Sequence, residues 1–345
     1  MTDRGKIDRA FFDEHIYPNL GADRSDVTLG PKHGVDFGVL DVADRAVVTA
    51  TDPISILPGL GWERAARFAL GVVLADVAVS GVPPSHLTVE FTLPPSISDD
   101  AFASVWKTMS DELDELGVSV LTGHTARYDG CSFPWVGGAT VLGVGQHDDV
   151  IRPDGARPGD HLLVTSGPAV EACALFASLF PGKVRDALDG RSSGEDVDLD
   201  RLAAMLPGTA HVRDALLAAA SGPVTAMHDA TECGLHGALC ELAETAGVRI
   251  DFDSAAVPVD PDVAAVCDAF EMDPWAASTS STLLVAVRPD GADAVLDALR
   301  GRGTAIADAG RISDGSGTYV DGERIEHPDV DPAWEVWGEL SGLGD

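Results

Sequence analysis

The most apolar run in the chain is Phe68-Ala-Leu-Gly-Val-Val-Leu-Ala-Asp-Val-Ala-Val79, and a single carboxylate interrupts it. The run lies within a predicted helix from Trp62 to Ser80 that is apolar on nearly every face, a pattern typical of a buried helix. It is well short of the ~20 apolar residues that a membrane-spanning helix needs. Because an unpaired buried carboxylate is costly, Asp76 requires a partner, a backbone cap or a metal ion.

Two strands are predicted on the N-terminal side of this helix. The segments 35–40 and 46–51 are rich in β-branched and apolar residues, and a polar turn separates them, which is consistent with a hairpin. Asp36 lies at the head of the first strand, and Asp52 closes the second one just before Pro53. The ends of strands commonly present side chains to a cleft.

In the rest of the chain, predicted strands and helices do not alternate regularly. Before the linker candidate at 146–159 the sequence predicts strands at 87–93, 118–121 and 139–144 and a helix at 99–116 with Ser98 as its N-cap. After it we expect strands at 160–166, 248–252 and 282–287, helices at 168–179, 209–220, 233–246 and 291–300, and a loop-rich stretch at 181–201. Without a regular βαβ alternation, the fold class is α+β, with two domains at 1–148 and 149–345.

The charge balance is strongly acidic. The 345 residues include 56 Asp and Glu against 23 Lys and Arg, a formal net charge of −33, and only four of the basic residues are lysines. A surface this negative repels phosphate backbones and anionic membranes, so we expect neither nucleic acid nor a membrane as a partner. The charge and the scarcity of lysine favour a halophilic source, since 1 M salt screens charges to about 3 Å. An ordinary acidic cytosolic protein is the alternative.

The first residues contain no apolar signal segment, and the five cysteines form no C-x-x-C pair. Both features are typical of a cytoplasmic protein with reduced thiols, which is the localisation we expect. The motifs G-x-x-x-x-G-K-[ST], G-x-G-x-x-G, G-x-S-x-G and H-E-x-x-H are absent. The sequence therefore lacks the common signatures of nucleotide-binding loops, serine hydrolases and zinc proteases.

In the first half of the chain, the best candidates for functional residues are carboxylates at positions where a charged group is energetically unfavourable. Asp36, Asp52 and Asp76 would supply the hard oxygen ligands that Mg²⁺ with a bound triphosphate prefers. Each also has a structural explanation, because an Asp before Pro is usually a turn residue and a buried helical Asp more often serves as a hydrogen-bonding group. The stretch Gly123-His124-Thr125 follows the strand that ends near Leu121.

A polar cluster in the second half reads Met227-His-Asp-Ala-Thr-Glu-Cys-Gly-Leu235. Asp229 or Thr231 would cap the helix that follows, and a helix N-terminus with exposed amides is a natural phosphate site. Capping alone does not explain so polar a cluster, so Asp229, Thr231 and Glu232 are our candidate catalytic residues. Cys233, His236 and Cys240 share one helix face and are a rival set of soft metal ligands, although buried cysteines on apolar helix faces are common.

The order of motifs resembles the aminoimidazole-ribonucleotide synthetase-like (PurM-like) superfamily, and within it the archaeal branch close to the HypE-type hydrogenase maturation proteins. The stretches that carry the resemblance are Thr51-Asp52, Leu74-Ala-Asp-Val-Ala-Val-Ser-Gly-Val-Pro-Pro84, Leu121-Thr-Gly-His-Thr125, Gly159-Asp-His-Leu-Leu-Val-Thr-Ser-Gly-Pro-Ala-Val-Glu171, His228-Asp-Ala-Thr-Glu-Cys-Gly-Leu235 and Ala277-Ser-Thr-Ser-Ser-Thr-Leu-Leu-Val285. They occur in the expected order over roughly residues 30 to 290.

The resemblance implies a half-barrel N-terminal domain that pairs with its twin in a homodimer and binds ATP in a cleft. It implies that Asp52 and Asp76 are Mg²⁺–ATP ligands, with Asp36 a weaker candidate, and that Gly123-His124-Thr125 is a loop beside the nucleotide. Cys233-Gly234 stands where the family has a glycine pair.

The resemblance also implies the reaction class. We expect a Mg²⁺- and ATP-dependent enzyme that phosphorylates a carbonyl or amide oxygen or another small acceptor. HypE-type proteins end in a cysteine that carries a carbamoyl group, whereas this sequence ends Leu340-Ser-Gly-Leu-Gly-Asp345, so we do not expect carbamoyl dehydration in cis. The alternatives are a small-molecule kinase of the thiamine-monophosphate kinase type and a nucleotide-binding partner or sensor without catalysis.

Overall fold

The computed structural model describes residues 5, 7, 9–190 and 197–342. Two sheets organise them. The first consists of β1 (Val27–Leu29), β2 (Gly38–Val42), β3 (Arg45–Ser55), β4 (Pro84–Leu93), β5 (Ser119–Arg127) and β6 (Trp135–Gly145), in the order β1-β2-β3-β6-β4-β5. Its neighbouring strands are antiparallel except for β4 and β5, which run parallel with β5 at the edge. The predicted hairpin is confirmed as β2 and β3.

The second sheet has seven strands. They are β7 (His161–Thr165), β8 (Val224–Ala230), β9 (Arg249–Phe252), β10 (Thr282–Val287), β11 (Ile306–Ser313), β12 (Gly317–Val320) and β13 (Glu323–Ile325), in the order β13-β12-β9-β11-β7-β10-β8. The only parallel pair among them is β9 with β12. Because both sheets are mainly antiparallel, with one parallel pair each, and the helices do not alternate regularly with the strands, the α+β class is confirmed.

The helices are α1 (Arg9–Phe11), α2 (Trp62–Ala78), α3 (Asp99–Leu116), α4 (Val170–Leu179), α5 (Pro181–Asp189), α6 (Leu199–Ala204), α7 (Ala210–Ser221), α8 (Gly234–Ala246), α9 (Pro261–Ala269), α10 (Ala292–Arg302) and α11 (Pro332–Ser341). Ser98 caps α3 as predicted, since its Oγ accepts a hydrogen bond from the Ala101 amide at 3.1 Å. No helix in the described ranges is long and apolar enough to cross a membrane.

Helix α2 lies at the centre of the largest hydrophobic core. It packs against α3 and β3 of the first half and against α7 of the second, and Leu74 is fully buried. The same core contains Val141 from β6 and Val285 from β10, so one cluster spans both halves of the chain. Division into domains at 148/149 stays a prediction.

Two sequence expectations need correction or limits. The stretch 181–201 is not mainly loop, because α5 and α6 lie in it and bury Val184, Leu199 and Leu202; residues 191–196 lie outside the described ranges. At the end of the sequence, residues 343–345 also lie outside them, so the expectation drawn from the last residues rests on sequence alone.

Candidate functional site

Four aspartates from distant parts of the chain lie close enough to act on one another. Asp36 precedes β2, Asp52 lies in β3, Asp76 lies in the last turn of α2, and Asp229 lies near the end of β8. The charges of Asp52, Asp229 and Asp36 all act on Asp76, and Asp76 shares a hydrogen bond with Asp52. We call these four residues the carboxylate cluster.

Ionisation of the carboxylate cluster is unfavourable, as the raised pKa values of two of its members show. Burial, followed by the charges of Asp52, Asp229 and Asp36, raises the pKa of Asp76 well above its ordinary value. Burial and the charge of Asp36 raise the pKa of Asp229 to about 7, although His228 opposes the shift. Since like charges in a poorly solvated site destabilise one another, the ionised cluster requires a compensating cation.

His228 on β8 supplies one positive partner. Its Nδ1 donates to Asp36 Oδ2 at 2.6 Å and its Nε2 donates to Glu241 Oε2 of α8 at 2.9 Å, and the ring is 2% exposed. Burial lowers the pKa of His228, but the charges and hydrogen bonds of Asp36 and Glu241 together raise it well above its ordinary value. The histidine therefore ties the segment before β2 to the second sheet and to α8.

One oxygen of the cluster lacks a protein partner. Asp229 is 3% exposed, and its Oδ1 atom accepts no hydrogen bond from the part of the chain that the structure describes. A buried acceptor left without a donor costs about 1–3 kcal/mol, so this atom is suited to a ligand or a metal ion. Asp36, His228 and Asp229 each offer one ligand atom, and these three atoms lie within 4.8 Å of one another.

Thr231 and Glu232 lie in the short segment between β8 and α8. The charge of Glu232 acts on Glu171 at the start of α4, together with that of Asp331, and burial is the main cause of the raised pKa of Glu171. Of the three candidate catalytic residues, the structure therefore brings only Asp229 into the carboxylate cluster. The catalytic roles of Asp229, Thr231 and Glu232 stay predictions.

The N-terminus of α8 is closed by a carboxylate of this chain. Asp331 Oδ2 accepts from the Cys233 amide at 3.0 Å and from Ser278 Oγ at 2.5 Å, and its Oδ1 accepts from the Ala333 amide at 2.8 Å. We call this arrangement the Asp331 cap. Since the Cys233 amide is bonded to Asp331, this amide is not open to a phosphate, and phosphate binding at the helix start stays a prediction.

Cys233 and Gly234 both adopt left-handed backbone conformations, with φ of 62° and 56°. This region favours glycine, so Cys233 carries a strained backbone. A side chain at Gly234 would lie 2.5 Å from the Ala277 carbonyl oxygen, which explains why glycine is kept there. The turn thus keeps the geometry of a glycine pair although its first member is a cysteine.

The stretch Gly123-His124-Thr125 is not a loop. It lies in the exposed edge strand β5, where it pairs with β4, so the strand predicted at 118–121 continues to Arg127. Asp52 lies opposite Ala139, Ala139 opposite Val89, and Val89 opposite Gly123. At about 4.8 Å per strand, Gly123 is about 14 Å from Asp52 within one sheet. Its contact with a nucleotide stays a prediction.

The rival set of metal ligands does not converge. Among the described residues, the candidate group of His, Cys, Asp and Glu is the one formed by Asp36, His228 and Asp229, and it includes none of Cys233, His236 and Cys240. Instead Cys233 donates to the Pro328 carbonyl oxygen at 3.6 Å, and the His236 ring stacks on Trp275 with centroids 6.2 Å apart.

Sequence reasoning missed Glu241 and the role of His228. Glu241 interrupts the apolar helix α8 as Asp76 interrupts α2, and it is 7% exposed. The same signal that pointed to Asp76, a carboxylate within an apolar helical run, would have found Glu241.

Two family models match this chain. The N-terminal domain model of AIR synthase related proteins matches residues 34–145, and the C-terminal domain model matches residues 157–323. Together they span most of the chain and include the carboxylate cluster.

Curated relatives of the same family differ in activity. Carbamoyl dehydratase HypE of Rhizobium leguminosarum bv. viciae is 29% identical over 77% of this chain and 73% of its own. Selenide, water dikinase of Citrifermentans bemidjiense is 27% identical over 76% of this chain and 72% of its own.

Solved structures share the fold. The crystal structure of E. coli HypE has a TM-score of 0.67 at 23% identity and covers 83% of this chain and 87% of its own. Thiamine-monophosphate kinase from Stenotrophomonas maltophilia K279a has a TM-score of 0.67 at 22% identity and covers 88% of this chain and 93% of its own. Hydrogenase maturation protein HypE in complex with ATP has a TM-score of 0.65 at 21% identity and covers 94% of this chain and 93% of its own. The two domain models in sequence order and the shared fold show that the chain belongs to the family of AIR synthase related proteins, the PurM-like superfamily.

Proposed function

We propose that this chain is a Mg²⁺- and ATP-dependent enzyme that phosphorylates a carbonyl or amide oxygen, or another small acceptor. The observation that carries the proposal is the carboxylate cluster, which is assembled from both halves of the chain and contains the unpartnered oxygen of Asp229. The relatives named carbamoyl dehydratase and selenide, water dikinase and the neighbour solved with ATP support ATP chemistry at such a site.

Asp36, Asp52, Asp76 and Asp229 would hold Mg²⁺. The donor set fits this ion in kind, because carboxylate oxygens are the hard ligands that Mg²⁺ prefers, and phosphate oxygens and water complete its coordination. When bound, the ion would neutralise phosphate charge during transfer. The unpartnered Asp229 Oδ1 and the raised pKa values of Asp76 and Asp229 are the features of this chain that favour a bound cation.

The contribution of the protein is positioning and charge, which dominate catalysis of phosphoryl transfer. His228 fixes Asp36 with a 2.6 Å hydrogen bond, and Glu241 fixes His228 in turn. We propose that the acceptor lies on the side of Thr231 and Glu232, because these residues follow Asp229 on the turn into α8.

We also propose that the protein is a homodimer that pairs through the first sheet. The edge strand β5 exposes Val120 and Leu121, which are 41% and 58% exposed, beside a cavity of about 330 Å³. An unpaired edge with exposed apolar residues is a surface that soluble proteins usually cover. Light scattering in molar KCl should give the mass of two chains, and the mass of one chain would contradict the dimer.

A thermal-shift screen of metabolites in molar KCl, with and without Mg²⁺ and ATP, tests the function. We expect ATP to raise the melting temperature only with a divalent cation, and one acceptor to raise it further and to release ADP. ATP binding without turnover for any acceptor would favour a nucleotide-binding partner or sensor instead. Absence of any ATP effect would contradict the proposal.

A further inference from the structure

We propose that a cavity at the start of α2 is a binding site for a small organic oxyanion, a carboxylate or a phosphate monoester, which Arg64 recognises. The cavity has a volume of about 420 Å³, and its lining includes Leu60, Trp62, Glu63, Arg64, Arg67 and Ser104. Small-molecule sites usually have volumes of about 300–1,000 Å³. This site requires neither ATP nor turnover, so it is independent of the proposed function.

The cavity is remote from the carboxylate cluster. Arg64 lies in the first turn of α2, whereas Asp76 lies in its last turn. At about 1.5 Å per residue, these two residues are about 18 Å apart along the helix axis. A small ligand at Arg64 therefore does not reach the carboxylate cluster.

The guanidinium group of Arg64 has a nitrogen without a partner. Its Nη2 atom is buried and donates no hydrogen bond within the described part of the chain. Burial lowers the pKa of Arg64, whereas a hydrogen bond to Asp154 raises the pKa of Arg152. A guanidinium group offers donors and no acceptor, so only an acceptor satisfies Nη2, and a charged oxygen does so most strongly.

The carboxylates beside the cavity do not take this role. Arg67, one turn further along α2, donates from Nε to Glu112 Oε1 at 3.0 Å, and the other oxygen of Glu112 accepts from Thr209 at 2.7 Å. Glu112 is thus shared between two other donors. Glu63 is next to Arg64 in the sequence, and adjacent residues on a helix do not face each other. The charge of Arg64 is therefore left for a ligand.

The other walls of the cavity indicate what kind of anion fits. Leu60 and Trp62 are partly buried and supply apolar surface, and the Trp62 ring packs on Phe133 with centroids 5.8 Å apart. Ser104 on α3 offers a hydroxyl as a further donor. Ligand sites typically combine apolar walls with a few polar groups that fix orientation. An oxyanion with an apolar or aromatic group therefore fits better than a free inorganic anion.

The alternative is that Arg64 is only a solvated surface arginine. The chain has a formal net charge of −33, so the loss of any arginine makes it more repulsive to anions. Arg185 on α5 is the matched control, because it is also a helical arginine and is exposed. If Arg64 is only solvated, Arg64→Gln and Arg185→Gln weaken anion binding equally.

The test is a titration of the full-length protein with benzoate, phenyl phosphate and the neutral benzyl alcohol at constant KCl, followed by ligand-observed NMR. We expect one of the two anions to bind wild type at least tenfold more tightly than benzyl alcohol, and the preferred anion identifies the ligand group as carboxylate or phosphate. Arg64→Gln should weaken its binding at least tenfold, about the size expected for hydrogen bonds to a charged group. Arg185→Gln should leave it unchanged.

Two results would overturn the proposal. One is that neither anion binds wild type more tightly than benzyl alcohol does. The other is that Arg64→Gln and Arg185→Gln bind the anion equally. Arg64→Lys keeps the charge but loses the planar fork, so it should weaken binding less than Arg64→Gln and shows whether a loss is due to the site or to misfolding.

A variant of opposite sign tests the same cavity without changing Arg64. Glu63→Gln removes a negative charge from the lining and should tighten binding of the same anion about twofold to fivefold. Unchanged or weaker binding would contradict the site. Mg²⁺-dependent ATP binding by Arg64→Gln, measured on the same preparation, should equal that of wild type and reports separately on the proposed function.

Discussion

The carboxylate cluster and the Asp331 cap are two acidic sites within one chain, and they differ in how their oxygens are satisfied. At the cap, one carboxylate receives three hydrogen bonds, from Cys233, Ser278 and Ala333. At the cluster, four carboxylates face one another, and Asp229 Oδ1 has no donor within the described part of the chain.

The number of hydrogen-bond donors around a carboxylate distinguishes one with a structural role from one whose oxygens can still accept a ligand. A buried carboxylate with a full set of donors stabilises the chain segments that provide them. A carboxylate beside other carboxylates destabilises the fold until a cation arrives. We therefore expect changes at the cap to affect stability and changes at the cluster to affect binding.

The largest expected effect is on binding. Asp52→Asn with Asp76→Asn should abolish Mg²⁺-dependent ATP binding measured by calorimetry, because it removes two of the four charges that attract the cation. The fold should persist, since two repelling charges are lost. Asp293→Asn with Asp297→Asn on the exposed face of α10 makes the same charge change elsewhere and is the control. Normal ATP binding by the cluster variant would show that these carboxylates are misassigned.

The next effect is a pH dependence that belongs to the cluster. The pKa of Asp229 is about 7 in the folded protein against an ordinary value of 3.8, so between these values the folded state binds the extra proton. The free energy of unfolding should therefore fall by about 4 kcal/mol as the pH rises from about 4 to about 7 without metal. Chemical denaturation at constant molar KCl measures this fall.

The matched comparison is with two variants. Asp229→Asn should lose the part of that pH dependence that Asp229 contributes and keep the part due to Asp76, whereas Asp331→Ala should retain both. Saturating Mg²⁺ should also reduce it in wild type, because the metal favours the ionised form. Identical pH profiles for wild type and Asp229→Asn would refute the raised pKa.

The third expected effect is the loss of stability when the Asp331 cap is removed. It is smaller than the effects above but still large for one side chain. Asp331→Ala should lower the free energy of unfolding by about 3 kcal/mol, since it removes the N-cap of α11 and leaves the Cys233 amide and Ser278 hydroxyl without an acceptor. Asp198→Ala removes only the cap of α6 and should cost about 1 kcal/mol. If the two variants melt alike, the cap contributes no more than an ordinary helix start.

The smallest effect concerns salt. Dilution from 1 M to 0.1 M KCl lengthens the screening distance from about 3 Å to about 10 Å, so the whole acidic chain should lose stability. Asp52→Asn with Asp76→Asn should reduce that loss by about 1 kcal/mol relative to wild type, the size of one close charge pair in water. Asp331→Ala should not change it. A melting temperature that stays constant from 0.1 to 3 M KCl would show that the acidic surface is incidental.

Local patterns predicted much of the fold and part of the site. Helix α3 and strand β10 were predicted at their observed bounds, since caps and β-branched runs are local signals. Strand β11 was not predicted although it lies inside the second sheet, because Ile306-Ala-Asp-Ala-Gly-Arg-Ile-Ser313 is small and polar, with a register shift beside Gly310. Tertiary packing decides such a strand.

In the candidate site, too, local sequence patterns predict some residues but not the contacts between distant ones. Asp76 was found because its own helix is apolar, whereas the bond between His228 and Asp36 joins residues 192 positions apart and leaves no local trace. The strand predicted at 118–121 ended before Gly123, and only the pairing of Gly123 with Val89 in β4 shows that the strand continues.

The bond between Asp36 and His228 also has a consequence for synthesis on the ribosome. Asp36, Asp52 and Asp76 emerge early, whereas the histidine and Glu241 follow only after most of the chain has been made. N-terminal segments generally begin to fold during synthesis, so the three aspartates must share one region without their partner for many seconds at about 5–20 residues per second. We therefore expect salt or a dication to help the nascent chain fold until His228 has been synthesised.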